Sequence, residues 1–99
     1  IAKINGDGTW IWAVDAGSTD TDRGLSITAM CDNTALVTGY YRGAMTFFNS
    51  DTTNSITLKA SEGSSDVFIA KINADGTWIW AVDAGSTGED VGVGITALR

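Results

Sequence analysis

The stretch IAKINGDGTWIWAVDAGSTD at residues 1–20 decides the fold, because it returns almost unchanged as IAKINADGTWIWAVDAGSTG at residues 69–88. Ile1 and Ile69 begin the two copies, which sets a period of 68 residues, and residues 1–31 share 23 identities with residues 69–99. Self-similarity at such a period is typical of repeat architectures, in which each unit buries its apolar face against the next copy. The sequence therefore predicts a tandem array of near-copies.

The period divides the chain into three expected parts. Residues 1–23 are expected to end one repeat, residues 24–91 to form one complete repeat, and residues 92–99 to begin the first strand of the next. We expect the chain to be a segment of a longer array, or else to associate with itself through strand edges or neighbouring repeats. Strands without partners favour such association.

Charge and composition exclude several classes of function. The net charge is -6, and the six Lys and Arg residues are spread singly, whereas binding to a nucleic-acid backbone needs clustered basic residues. The chain has no His and one Cys, Cys31, which we interpret as a half-buried small residue rather than a nucleophile. Zinc, haem and disulfide frameworks are therefore not expected, and no apolar stretch approaches the roughly 20 residues of a membrane helix.

The local pattern predicts strands and turns throughout. Short runs rich in Ile, Val, Thr and aromatic residues alternate with Gly, Asn, Asp and Ser clusters. Asp7-Gly8 and Asp75-Gly76 are typical of tight hairpin turns, because Gly accepts positive φ. Simple alternation along the following strand predicts that Trp78, Trp80 and Val82 share one face. The six expected strands of one period are residues 24–30, 34–41, 44–48, 55–60, 66–73 and 77–83.

Several motifs resemble a known repeat family. The run DVFIAKI at residues 66–72, the run DGTWIWA at residues 75–81 and the run VTGY at residues 37–40 are similar to the bacterial SBBP repeat, named for a seven-bladed β-propeller. The resemblance implies an all-β, β-propeller-type fold. Its blade would have four antiparallel strands, namely residues 24–30, 34–41, 66–73 and 77–83. Residues 44–60 would then be an extra hairpin at the outer rim of the blade or an extension of its second strand.

The same resemblance implies little chemistry. Members of the family generally resemble secreted or surface-exposed repeat proteins, and similar repeats occur in large viruses, without shared catalytic residues. An extracellular or cell-surface location is therefore expected, with a virion as the alternative.

Acidic residues collect in the connection that follows each Trp-rich strand. They are Asp15, Asp20 and Asp22 in the first copy and Asp83, Glu89 and Asp90 in the second. Paired carboxylates can perform acid and base chemistry beside a sugar, and such loops can also hold a weak metal site. Asp in Gly-rich loops more commonly bonds to its own backbone. Asn5 and Asp7 faintly resemble a calcium loop but lack its further carboxylates. We predict no catalytic residues, no metal and no cofactor.

The candidate ligand-binding residues are aromatic or basic. Trp10 and Trp78 could form stacking platforms for sugar rings, although packing between repeats is the alternative for such large apolar groups. Tyr40 and Tyr41 are adjacent, so one faces each side of its strand, and the outward one would contact a ligand together with Arg42. The leading hypothesis is a non-enzymatic scaffold that binds a glycan or a protein partner. The alternatives are a polysaccharide hydrolase or lyase that uses the acidic loops, and a purely architectural surface or virion repeat.

Overall fold

The computed structural model describes residues 1–17, 22–49, 54–59, 65–84 and 94–96. All regular elements in these ranges are β-strands, which confirms the all-β class. The strands are β1 (Ala2–Ile4), β2 (Trp10–Ala13), β3 (Ala16–Gly17), β4 (Asp22–Ala29), β5 (Ala35–Arg42), β6 (Ala44–Phe47), β7 (Ile56–Lys59), β8 (Ser65–Ile72) and β9 (Trp78–Ala84).

The complete repeat forms a four-stranded antiparallel sheet in the order β4-β5-β8-β9. The four strands expected of one unit are thus present and adjacent in the expected order, and their ends lie within two residues of the expected bounds. The sheet begins at Asp22, two residues before the expected repeat boundary at Gly24. Residues 94–96 are described and belong to no strand, and the rest of the predicted strand 92–99 lies outside the described residues.

The two copies of the repeated hairpin have the same local structure. In each, an Asn side chain accepts hydrogen bonds from the backbone two and four residues further on, as Asn5 does from Asp7 and Thr9. The turn glycines have nearly equal φ, 89° at Gly8 and 90° at Gly76, as predicted for these turns.

Each copy also carries the same β-bulge, which the alternation pattern did not predict. Lys71 pairs with Trp80 while Ile72 pairs with Trp78, so Ile79 is an extra residue on β9. Trp78 is consequently buried at 3% exposure, whereas Trp80 is 38% and Val82 51% exposed. The prediction that these three side chains share one face is therefore wrong.

The strands of residues 44–47 and 56–59 form the predicted extra hairpin, and the alternative expectation, an extension of the second strand within its sheet, is wrong. The hairpin β6–β7 pairs with β3 in a separate three-stranded sheet, so β6 does not extend β5 within the larger sheet. Met45 and Phe47 of β6 lie in the same core cluster as Phe68 and Trp78 of the four-stranded sheet. The hairpin therefore packs its apolar side chains against those of the four-stranded sheet, and its position at the outer rim of a blade stays a prediction.

The core between the two sheets is strongly aromatic. Phe47 packs edge-to-face on Trp78 and on Phe68, with ring centroids 4.9 and 5.5 Å apart. Edge-to-face packing is the favoured geometry for aromatic pairs. Cys31 lies in the turn after β4 and is exposed, so its predicted half-burial is wrong.

Candidate functional site

A cleft of about 250 Å³ lies where the connection from the first copy meets the core of the complete repeat. Its floor is formed by buried residues of the core, and its remaining lining comes from residues 1–24. The lining residues are Ile1, Asp15, Ala16, Asp22, Gly24, Val37, Met45, Phe47, Phe68 and Trp78. The site therefore combines an apolar, partly aromatic floor with two carboxylate side chains, a composition typical of small-molecule sites.

One lining residue, Trp78, carries a buried polar atom. The Trp78 side chain is 3% exposed, and its indole Nε1 is buried with no hydrogen-bond partner among the described residues. A buried donor without an acceptor costs about 1 to 3 kcal/mol. A ligand atom or a water molecule that accepted this hydrogen bond would remove that cost.

Of the acidic residues singled out in the sequence, Asp15 and Asp22 line the same cleft. Asp20, Glu89 and Asp90 lie outside the described residues. Asp83 is on β9, where its Oδ2 accepts a hydrogen bond from the Tyr41 hydroxyl at 2.8 Å. No group of three or more His, Cys, Asp or Glu within the described ranges is placed to hold a metal ion.

The five predicted ligand-binding residues are not gathered in one place. Trp10 lies on β2 and is 67% exposed, whereas its equivalent Trp78 forms part of the core. Tyr40 is half-buried and Tyr41 is wholly buried on the opposite face of β5, as alternation requires. Arg42 ends the same strand and is half-buried. Of the five, only Trp78 lines the cleft.

The buried Tyr41 is held by its neighbours. Burial, followed by the hydrogen bond to Asp83, raises the pKa of the Tyr41 phenol above its ordinary value. Its ring packs edge-to-face on Phe68 at 6.4 Å. This environment keeps the phenol neutral, and its hydroxyl serves as a hydrogen-bond donor inside the fold.

A second feature is the contact between the two copies of the repeat. The Trp12 Nε1 donates a hydrogen bond to the Ala74 carbonyl oxygen at 2.9 Å, and the Lys3 Nζ donates to the same oxygen at 3.5 Å. The Trp12 ring covers Gly76 so closely that an added Cβ there would lie 2.8 Å from the indole. The first hairpin therefore rests on the turn of the second, in the sense expected of consecutive repeats.

Several of these residues were not identified from the sequence. Met45, Phe47 and Phe68 line the cleft because the hairpin β6–β7 folds over the sheet, a long-range arrangement that has no local signal. Trp12 did have a signal, since its position recurs in both copies together with the turn that it contacts.

Comparison with known proteins yields no match: no family model, no curated protein and no solved structure is significantly similar to this chain. The similarity to the SBBP repeat stays a prediction from the motifs. Within the described ranges, no helix has the length and apolar character needed to cross a membrane.

Proposed function

We propose that this chain is a segment of a non-enzymatic β-propeller-type repeat array that serves as a scaffold and binds a glycan in the cleft beside Trp78. The main support for a repeat scaffold is the packing of Trp12 on the turn at residues 73–76. Through this contact, the two copies of the repeated sequence pack directly against each other. A four-stranded antiparallel sheet built from one period supports the propeller form, since blades of propellers are such sheets. An extracellular or cell-surface location belongs to this proposal.

The composition of the cleft supports a carbohydrate ligand over an apolar one. Carboxylates such as those of Asp15 and Asp22 accept hydrogen bonds from hydroxyl groups, and the Trp78 Nε1 is a donor without an acceptor among the described residues. The aromatic residues Phe47, Phe68 and Trp78 form the apolar floor beneath these polar groups. A protein partner that places one polar side chain in the cleft is the alternative occupant.

The binding experiment is a titration of the chain with a panel of oligosaccharides, followed by amide chemical shifts. Saccharide binding should shift the amides of cleft residues, and Asp15→Asn should weaken it at least about tenfold, the loss expected when a charged acceptor is removed. Asp75→Asn is the matched control, since that exposed carboxylate accepts a hydrogen bond from Thr77 in a turn whose residues do not line this cleft. If Asp75→Asn weakened saccharide binding as much as Asp15→Asn does, the cleft would be rejected as the binding site.

A second candidate function is polysaccharide hydrolysis or lysis, favoured by the presence of Asp15 and Asp22 in one cleft. Glycosidases place two carboxylates about 5 to 10 Å apart across the scissile bond. Product analysis with polysaccharide substrates separates the two functions. Turnover abolished by Asp22→Asn would favour the enzyme, whereas retained binding without products, with or without chelator, would favour the scaffold. An ordered assembly that binds no saccharide would indicate a purely architectural repeat.

A further inference from the structure

Trp12 contacts the turn at residues 73–76, and each partner of this contact has an equivalent in the other copy of the repeat. Trp12 has its equivalent in Trp80, and the turn at residues 73–76 has its equivalent at residues 5–8. Among the described residues, Trp12 and the turn at residues 73–76 form this contact, and no such contact is seen for Trp80 or for the turn at residues 5–8.

The remaining turn has the shape of the one that is occupied. Gly8 and Gly76 have φ values of 89° and 90°, and the same internal hydrogen bonds hold both turns. At Gly76 the Trp12 indole approaches to 2.8 Å from an added Cβ, whereas at Gly8 the equivalent position has nothing within 4 Å. The carbonyl that corresponds to that of Ala74 belongs to Gly6.

The equivalent tryptophan, Trp80, has the same local backbone geometry as Trp12 and is accessible. The same β-bulge precedes Trp12 and Trp80, at Ile11 and Ile79, so both side chains leave their hairpins in the same way. Trp80 is 38% exposed, and Val82 beside it on the same face of β9 is 51% exposed. Large apolar groups exposed together mark interaction surfaces.

We propose that Trp80 packs on the turn at residues 5–8 of another copy of this repeat, and that for the 99-residue chain a second copy of the chain supplies this turn, with Trp80 on its Gly8 and the Trp80 Nε1 donating a hydrogen bond to its Gly6 carbonyl oxygen. This contact would repeat between chains what Trp12 and the turn at residues 73–76 form within one chain. Because one surface docks on a different surface, the association is head-to-tail, and it adds further copies to form a ring if the rotation between copies closes and a filament if it does not. The inference shares with the proposed function the assumption that the repeats form an array, but it requires no glycan.

The first test is sedimentation velocity of the 99-residue chain over concentrations up to about 1 mM, a range that includes weak association. The average mass should rise with concentration beyond that of a dimer. Trp80→Ala should weaken association about 30-fold, the loss typical of an aromatic residue at the centre of an interface. Ile27→Ala is the control, because Ile27 is 55% exposed on β4, at the other edge of the sheet. A chain that stays monomeric, or a Trp80→Ala variant that associates like the wild type, would overturn the proposal.

A mixing experiment tests the head-to-tail direction and does not depend on one variant. Asn5→Ala removes the side chain that accepts hydrogen bonds from Asp7 and Thr9, and so loosens the receiving turn while leaving Trp80 intact. Each variant alone should be monomeric, and a mixture of Asn5→Ala with Trp80→Ala should form a one-to-one dimer and nothing larger. Association of Asn5→Ala with itself would contradict the inference. Circular dichroism of each variant shows whether the sheets are retained.

The two proposals fail separately. If association depends on Trp80 and the chain binds no saccharide, the proposed glycan-binding function is rejected and the association through Trp80 is kept. Saccharide binding by a chain that stays monomeric at every concentration would reject the association through Trp80 and keep the proposed glycan-binding function.

Discussion

The side-chain amide of Asn49 forms two hydrogen bonds with the backbone of Trp78. Its Oδ1 accepts from the Trp78 N–H at 2.8 Å, and its Nδ2 donates to the Trp78 carbonyl at 3.1 Å. Trp78 opens β9, which lies at the edge of the four-stranded sheet. The amide therefore satisfies backbone groups at a sheet edge, which would otherwise be available for pairing with another chain.

Replacing this amide should destabilise the fold. Asn49→Ala leaves two buried backbone groups of Trp78 without their partner, and we expect a loss of about 2 to 4 kcal/mol in the free energy of unfolding. Asn5→Ala is the control, because Asn5 holds an exposed turn, so its loss should loosen that turn locally and cost less in the free energy of unfolding than the loss of the buried Asn49 contact. Urea denaturation followed by circular dichroism measures both variants. Equal losses would show that the burial of the Asn49 contact contributes nothing.

The two tryptophans of the first hairpin should behave differently. Trp12 packs on Gly76 and bonds to Ala74, so Trp12→Ala should cost about 2 to 3 kcal/mol. Trp10 is 67% exposed, and Trp10→Ala should change the stability by no more than about 0.5 kcal/mol. Thermal unfolding of the two variants gives the comparison. A larger effect at Trp10 would mean that the first hairpin does not rest on the second.

Two glycines that face each other in the sheet offer a sharper test of packing. Gly24 on β4 pairs with Gly39 on β5. A Cβ at Gly39 would lie 1.8 Å from the Arg23 carbonyl oxygen, whereas a Cβ at Gly24 meets nothing within 4 Å. Gly39→Ala should therefore cost more than about 3 kcal/mol, because backbone must move, and Gly24→Ala should be neutral or slightly stabilising.

Urea midpoints of the two glycine variants would settle the register of β4 against β5. If Gly24→Ala were the more damaging substitution, the close approach would lie on the other strand, and the pairing of the two strands would have to differ.

The Tyr41 phenol should make the fold sensitive to alkaline pH. Its pKa in the folded chain is raised above the ordinary value near 10, first by burial and then by the hydrogen bond to Asp83. The folded state therefore keeps its proton where the unfolded chain loses it, so this contribution is complete below about pH 10 and is lost as the pH rises further. Tyr41→Phe should reduce that loss, at a cost of about 1 kcal/mol at neutral pH for the hydrogen bond.

Stability curves of the wild type and Tyr41→Phe between pH 7 and about pH 11 test this linkage. Parallel curves above pH 10 would show that other groups cause the alkaline loss. Tyr40→Phe is the matched control, since the half-buried Tyr40 lies on the opposite face of the same strand.

The strands of the complete repeat could be predicted because their signals are local. Gly8 and Gly76 mark hairpin turns by their tolerance of positive φ, and β-branched and aromatic runs lie between such turns. The burial of the tryptophans could not be predicted in the same way, because the bulge at Ile79 reverses the alternation that follows Trp78. Nothing in the residue types of that strand distinguishes a bulged pairing from a regular one.

The candidate site followed the sequence only in part. Asp15 and Asp22 were singled out as carboxylates of one connection, and they do line one cleft. Trp78 was singled out as an aromatic platform, but its place in the cleft depends on Phe47, which reaches it from the hairpin β6–β7.

The sequence by itself determined the repeat, its period, the all-β class and the four strands of the sheet, because turn residues and strand composition act over a few neighbouring positions. The tertiary structure alone decided which face of the sheet the hairpin β6–β7 covers, which tryptophan of each pair is buried and which turn Trp12 contacts. These depend on packing between residues far apart in the chain, such as Trp12 with Gly76 and Phe47 with Trp78. Burial of apolar surface rewards any arrangement that removes it from water, so only the complete set of contacts selects one of them.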